Sequence, residues 1–152
     1  MSIHDGYVKE LADAFERQGY KIIIEGKIPK YKGKEWGEPD LFVLRREGSH
    51  LSLRKIVEVT VGDKKEGLST KTTTTLESKV KKIREYYDPP ELIVFEPTGY
   101  TNNHYDVKSE TKGRFTDYDK YNAYLQEKWK KEGLNVIFWN EWDLEKLKEQ
   151  ST

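Results

Sequence analysis

Hydrophobic residues along this chain switch between helical and strand spacing, and the changes of period divide it into elements. Tyr7, Val8, Leu11, Ala14 and Phe15 share one helical face that stops at Gly19, with Ser2 and Asp5 at capping-box spacing ahead of it. Tyr20 to Glu25 then runs through Ile22, Ile23 and Ile24 without a polar break, the pattern of a short strand covered on both faces. Asp40 to Arg45 and Leu53 to Val61 read as the two strands of a hairpin that turns at Gly48 and Ser49. Helical spacing returns at Leu76, Val80, Ile83 and Tyr87 and ends at Pro89-Pro90, after which Leu92 to Phe95 forms a buried strand. Ahead of that helix, STKTTTTLES is rich in β-branched threonine, so it is expected to stay non-helical until about Leu76 and to form a mobile loop over a cleft.

Pro97 to Thr116 is polar, rich in Gly, Asn and Tyr, and has no clean period, so it reads as an excursion or flap. Thr116 or Asp117 then caps a helix whose seam is Tyr118, Tyr121, Leu125 and Trp129 and which closes at Gly133. Asn135 to Trp139 is a last strand, and Asn140 is the N-cap of a short helix carrying Trp142, Leu144 and Leu147. The predicted order is α-β-β-β-α-β followed by α-β-α. That order places the chain in the α/β class, with one mixed central sheet flanked by helices and a parallel strand pair across the first crossover helix.

Polar residues inside this pattern single out the hairpin. Ile56, Glu58 and Thr60 share one face of their strand and Val57, Val59 and Val61 the other, so Glu58 sits among apolar neighbours. An unpaired charge in such a place is costly, which calls for a positive partner. A turn near Gly48 puts Asp40 opposite Ile56 and diagonal to Glu58, at a Cβ separation of roughly 7 Å, within reach of one shared divalent cation. Three other acids border the predicted core: Asp5 reads as a capping residue, Glu10 as a solvated flank of the first helix, and Glu25 as a strand end beside Asp40 or simply in solvent. His4 falls on the first helical stripe and reads as a partly buried, satisfied histidine, since no second His lies nearby at metal-ligand spacing.

Composition narrows the chemistry further. The 152 residues suit one domain spanning 1–152, and the absence of cysteine excludes disulfides, thiolate metal sites and a Cys nucleophile. No apolar run has membrane-spanning length and no signal peptide is visible, so the expectation is a soluble, cytoplasmic protein with no membrane partner. A charged fraction of 36% with a single Met leans towards a thermophile. Lys plus Arg and Asp plus Glu each number 27, so attraction to nucleic acid has to come from local clusters. There are two. The loop KIPKYKGKEWG, residues 27 to 37, offers Lys30, Lys32 and Lys34 to phosphates and Tyr31 or Trp36 to sugar or base, or else is an ordinary exposed loop. Asp63 to Arg84 carries seven positive residues, among them Lys64, Lys65, Lys81 and Lys82, against three negative ones.

Pro39-Asp40, a spacer, and Glu58-Val59-Thr60 together resemble the PD-(D/E)XK nuclease superfamily, and the order of the first six elements is similar to archaeal Holliday junction resolvases and related small archaeal or viral nucleases. The resemblance implies a restriction-endonuclease-like core, Mg²⁺ or Mn²⁺ held at Asp40, Glu58 and Val59, cleavage of DNA, and a homodimer that makes paired cuts. At the position of the motif's lysine this chain has Thr60, which cannot supply a positive charge. The role then passes to a lysine from elsewhere: Lys79, which borders the stripe Leu76, Val80, Ile83, Tyr87, or Lys64, just past Gly62; either is otherwise a solvated phosphate contact. Three readings follow: a metal-dependent endonuclease acting on branched or structured DNA, a relative that binds DNA without cutting it, and a protein-interaction domain built on the aromatic residues between Tyr100 and Trp142.

Overall fold

The computed structural model describes residues 3–24, 39–60, 70–97, 107–109, 113–115 and 118–150. Among these, four helices and a five-stranded mixed sheet form an α/β architecture. Helix α1 (Ile3–Arg17) leads into β1 (Lys21–Ile24), and the hairpin β2 (Leu41–Glu47) and β3 (His50–Val59) follows. Then come α2 (Thr70–Tyr86), β4 (Glu91–Phe95), a small hairpin β5 (Val107–Ser109) and β6 (Gly113–Phe115), α3 (Tyr118–Lys131), β7 (Val136–Trp139) and α4 (Glu141–Gln150). The sheet order is β1-β2-β3-β4-β7: β1, β2 and β3 pair antiparallel, whereas β3, β4 and β7 run parallel, joined through α2 and α3. No described helix is long and apolar enough to cross a membrane.

Strand alternation sends each sheet residue to one of two cores. Phe42, Ile56, Leu92, Val94 and Val136 meet Val80 and Ile83 of α2 and Tyr121, Leu125 and Trp129 of α3 on one face. Leu41, Val43, Val57, Val59, Ile93 and Phe95 meet Val8, Leu11, Ala14 and Phe15 of α1 and Leu144 and Leu147 of α4 on the other. The three consecutive isoleucines of β1 divide in the same way, Ile23 to the first core and Ile22 and Ile24 to the second. Helices α1 and α3 end alike, with Gly19 and Gly133 at φ 95° and 88° and with Tyr20 N–H and Leu134 N–H reaching back five residues to Phe15 O and Trp129 O. This is the left-handed glycine stop that the sequence placed there. Helix α4 opens on a reciprocal cap in which Asn140 Oδ1 accepts from Asp143 N–H and Asp143 Oδ2 accepts from Asn140 N–H.

Four expectations are corrected. The Thr-rich segment is helical from Thr70, six residues before the predicted start at Leu76, because each threonine costs only about 0.5 kcal/mol relative to a good helix former and a helix already anchored at Val80 and Ile83 propagates through them. Trp142 does not join the last apolar stripe; it is 62% exposed on the first turn of α4, and Leu144 and Leu147 carry the packing instead. Within the excursion after Pro97, residues 107–109 and 113–115 pair as β5 and β6. The fourth concerns the register of the hairpin. Its turn centres on the Gly48-Ser49 pair, with Glu47 opposite His50, and β3 carries one extra residue, Arg54, where Val43 faces Lys55 but Leu44 faces Leu53. Each step moves the pairing by one position, so Leu41 lies opposite Val57, and Asp40 continues the ladder opposite Glu58 instead of Ile56.

Candidate functional site

The acidic pair lies where the parallel strands β3 and β4 finish, the end at which open α/β sheets place their ligand crevices. There the two carboxylates extend the β2–β3 ladder with side chains. Asp40 N–H donates to Glu58 Oε1 at 3.0 Å, and Val59 N–H donates to Asp40 Oδ2 at 2.7 Å. The second oxygen of each carboxylate meets a nitrogen from a different helix. His4 Nε2 of α1 is 3.1 Å from Asp40 Oδ1, and Lys79 Nζ of α2 is 2.7 Å from Glu58 Oε2. All four carboxylate oxygens therefore have protein partners. Asp40 and Glu58 are buried, whereas His4 and Lys79 each stay about one-third exposed at the mouth.

Burial dominates the electrostatics of Glu58. Loss of solvent, with the neighbouring charge of Asp40 adding to it, raises its pKa from 4.5 to about 7, against the smaller opposing pull of Lys79 and the Asp40 amide. For His4, burial acts to lower the pKa, but the charge of Asp40 and the contacts with Asp5 and Asp40 together outweigh it and raise the value above 6.5. Asp5 Oδ1 sits 3.3 Å from His4 Nδ1, so the imidazole is held between two carboxylates.

Around this centre the structure buries two further acids, Glu77 and Glu96. Tyr121 OH of α3 donates to Glu77 Oε2. Glu96 follows β4 directly; its N–H donates to Trp139 O at 2.7 Å and Asn122 Nδ2 lies 3.4 Å from its Oε2. Every buried charged residue among those described (Asp40, Glu58, Glu77, Glu96) is thus an acid. Sequence reasoning passed over Glu77 and Glu96, although Glu96 carries a signal: it ends a continuous apolar strand on the face that alternation shares with Val94, the register partner of Glu58.

Of the residues singled out from the sequence, Asp40, Glu58, Val59 and Lys79 come together. His4 is satisfied as expected, and its partner is Asp40 itself. Glu10 points away from the centre and pairs with Lys148 of α4 at 2.6 Å. Lys81 is exposed and Lys82 half-buried on α2, with Lys81 a little over half a turn from Lys79. Lys30, Lys32, Lys34, Lys64, Lys65 and Glu25 lie outside the described residues. Among the described residues no three His, Asp or Glu side chains already enclose a metal position. Compared with family models, with curated proteins and with solved structures, the chain matches none.

Proposed function

We propose that this protein is a divalent-metal-dependent DNA endonuclease of the restriction-endonuclease-like type, acting on branched or structured DNA, with Asp40 and Glu58 as its acidic pair. The observation that carries the reading is their arrangement: two buried carboxylates face to face at the end of a hydrophobic hairpin, with Lys79 Nζ 2.7 Å from Glu58 Oε2. The donor set fits a hard divalent cation, since carboxylate oxygens are what Mg²⁺ and Mn²⁺ prefer. The raised pKa of Glu58 fits too, because it marks a pair whose negative charge the surrounding protein does not fully offset. Asp40 and Glu58 would hold the ion. Val59 has no ligating side-chain atom, so its contribution would be its carbonyl, on the residue whose amide already fixes Asp40. The chemistry such a cation supplies is polarisation of the phosphodiester and activation of a water. Lys79 keeps a positive charge beside the pair, at the mouth, where Thr60 offers none. Its place is to orient water or to offset charge on the phosphate. The mixed sheet, with the acidic hairpin leading into a parallel crossover, is the arrangement that the resemblance to resolvases implies, and a homodimer belongs to the same proposal.

A second reading, DNA binding without cleavage, draws support from one observation: all four oxygens of the pair are already partnered within the protein. A panel of branched and linear DNAs, incubated with and without Mg²⁺ or Mn²⁺, separates the two. Cleavage that requires the cation and is abolished in Asp40→Ala and in Glu58→Ala, both still folded by circular dichroism, supports the nuclease. Binding with no cleavage under any metal leaves the second reading.

A further inference from the structure

We infer that His4 is a third ligand of the cation proposed at Asp40 and Glu58, held in place by Asp5, and that its nitrogen gives the site a preference for Mn²⁺ over Mg²⁺. The inference rests on the proposed metal-dependent reading and adds to it a ligand that the Asp-Glu pair does not contain. Its first support is a distance. Neighbouring vertices of an octahedral ion with bonds of ~2.2 Å lie ~3.1 Å apart. His4 Nε2 and Asp40 Oδ1 stand 3.1 Å apart, so these two atoms already form one edge of such a shell. The cation takes the place of the proton between them. Glu58 is joined to the same edge through the amide of Asp40, and binding exchanges its contact with Lys79 for one with the ion.

The second support comes from the other side of the ring. Histidines that bind metals commonly direct their second nitrogen to a carboxylate, which fixes the tautomer and the plane of the imidazole. His4 Nδ1 has that partner in Asp5 Oδ1 at 3.3 Å. The start of α1 is in turn fixed by α4, through Tyr7 OH to Glu141 at 3.4 Å and Lys148 to Glu10 at 2.6 Å, so the imidazole is carried on a secured helix. A nitrogen donor suits Mn²⁺, whereas Mg²⁺ favours an all-oxygen shell with several waters.

The test is direct Mn²⁺ and Mg²⁺ binding by calorimetry, with pulsed electron paramagnetic resonance of the bound Mn²⁺, on wild type, His4→Gln and Asp5→Asn. The inference expects a ¹⁴N coupling in wild type that vanishes in His4→Gln, together with a loss of Mn²⁺ affinity of at least the ten- to hundredfold scale seen when the support of a metal ligand is removed. Mg²⁺ affinity should change much less, and Asp5→Asn should keep the coupling with weaker Mn²⁺ binding. Mn²⁺ bound by wild type without ¹⁴N coupling, and equally well by His4→Gln, overturns the role of His4 and leaves the Asp40–Glu58 site standing. Absence of any cation binding to wild type overturns both. Because His4 lies at the exposed start of α1, His4→Gln is expected to fold, and its melting curve confirms this independently.

Discussion

At Glu58 the cost of burying a carboxylate and its usefulness to a cation are the same quantity. Its pKa of about 7 against an ordinary 4.5 means that the folded protein holds a proton which the unfolded chain releases near pH 4.5. The stability this gives is complete below about pH 4.5 and is lost as pH rises to about 7, so the metal-free protein is disfavoured by this group at pH 8 relative to pH 5. The raised pKa of His4 acts in the same sense, with its contribution lost above pH 6.5. Glu58→Gln separates the two: in chelator, its gain in melting temperature over wild type should be large at pH 8 and small at pH 5. An equal gain at both would contradict the assignment. Lys79 is the other residue whose role can be measured. With saturating DNA in a single turnover, Lys79→Ala should slow cleavage roughly a hundredfold, the scale for loss of a group acting in the transition state. A normal rate under those conditions would reduce Lys79 to a phosphate contact and pass the role to Lys64.

The elements were legible in the sequence wherever a period or a stop residue marked them, and illegible wherever geometry alone decided. Gly19, Gly133, Asn140 and Pro89-Pro90 each end or begin a helix as read, because each does so through its own backbone or side chain. The start of α2 was missed because threonine propensity is a weak term that an anchored helix overrides. The extra residue Arg54 leaves no mark in the pattern, and with it went the direct pairing of Asp40 with Glu58. His4 was placed on the correct face, but its contact with Asp40 depends on how α1 lies along the sheet, which no periodicity states. The turn itself has a clear test. Gly48 has φ 64° and nothing within 4 Å of an added Cβ, so Gly48→Ala meets backbone strain alone. The expected loss is ~1–2 kcal/mol in urea unfolding, with cation affinity unchanged. Lost affinity would show that the turn and the acidic pair are more tightly linked than the hairpin geometry implies.

Over the whole molecule, the sheet separates two cores, and the site draws on both: His4 reaches it from the α1 side and Lys79 from the α2 side. Net charge is zero, so affinity for DNA must come from how charge is distributed. If DNA binds as proposed, its affinity should fall steeply with salt as lysines displace counterions from phosphates, and Lys81→Ala should weaken binding while leaving the saturated cleavage rate intact. A flat salt dependence would rule out an electrostatic footprint. The route between the acids has one more consequence. Asp40 and Glu58 are separated by 18 positions, and seven-residue β2, the turn and the extra Arg54 together bring them level. The hairpin is therefore a counting device. An insertion or deletion of a single residue on one strand puts the two acids out of step, while equal additions to both strands at the exposed tip from Arg45 to Leu51 keep the tally, and so the tip is where this protein can accept foreign sequence.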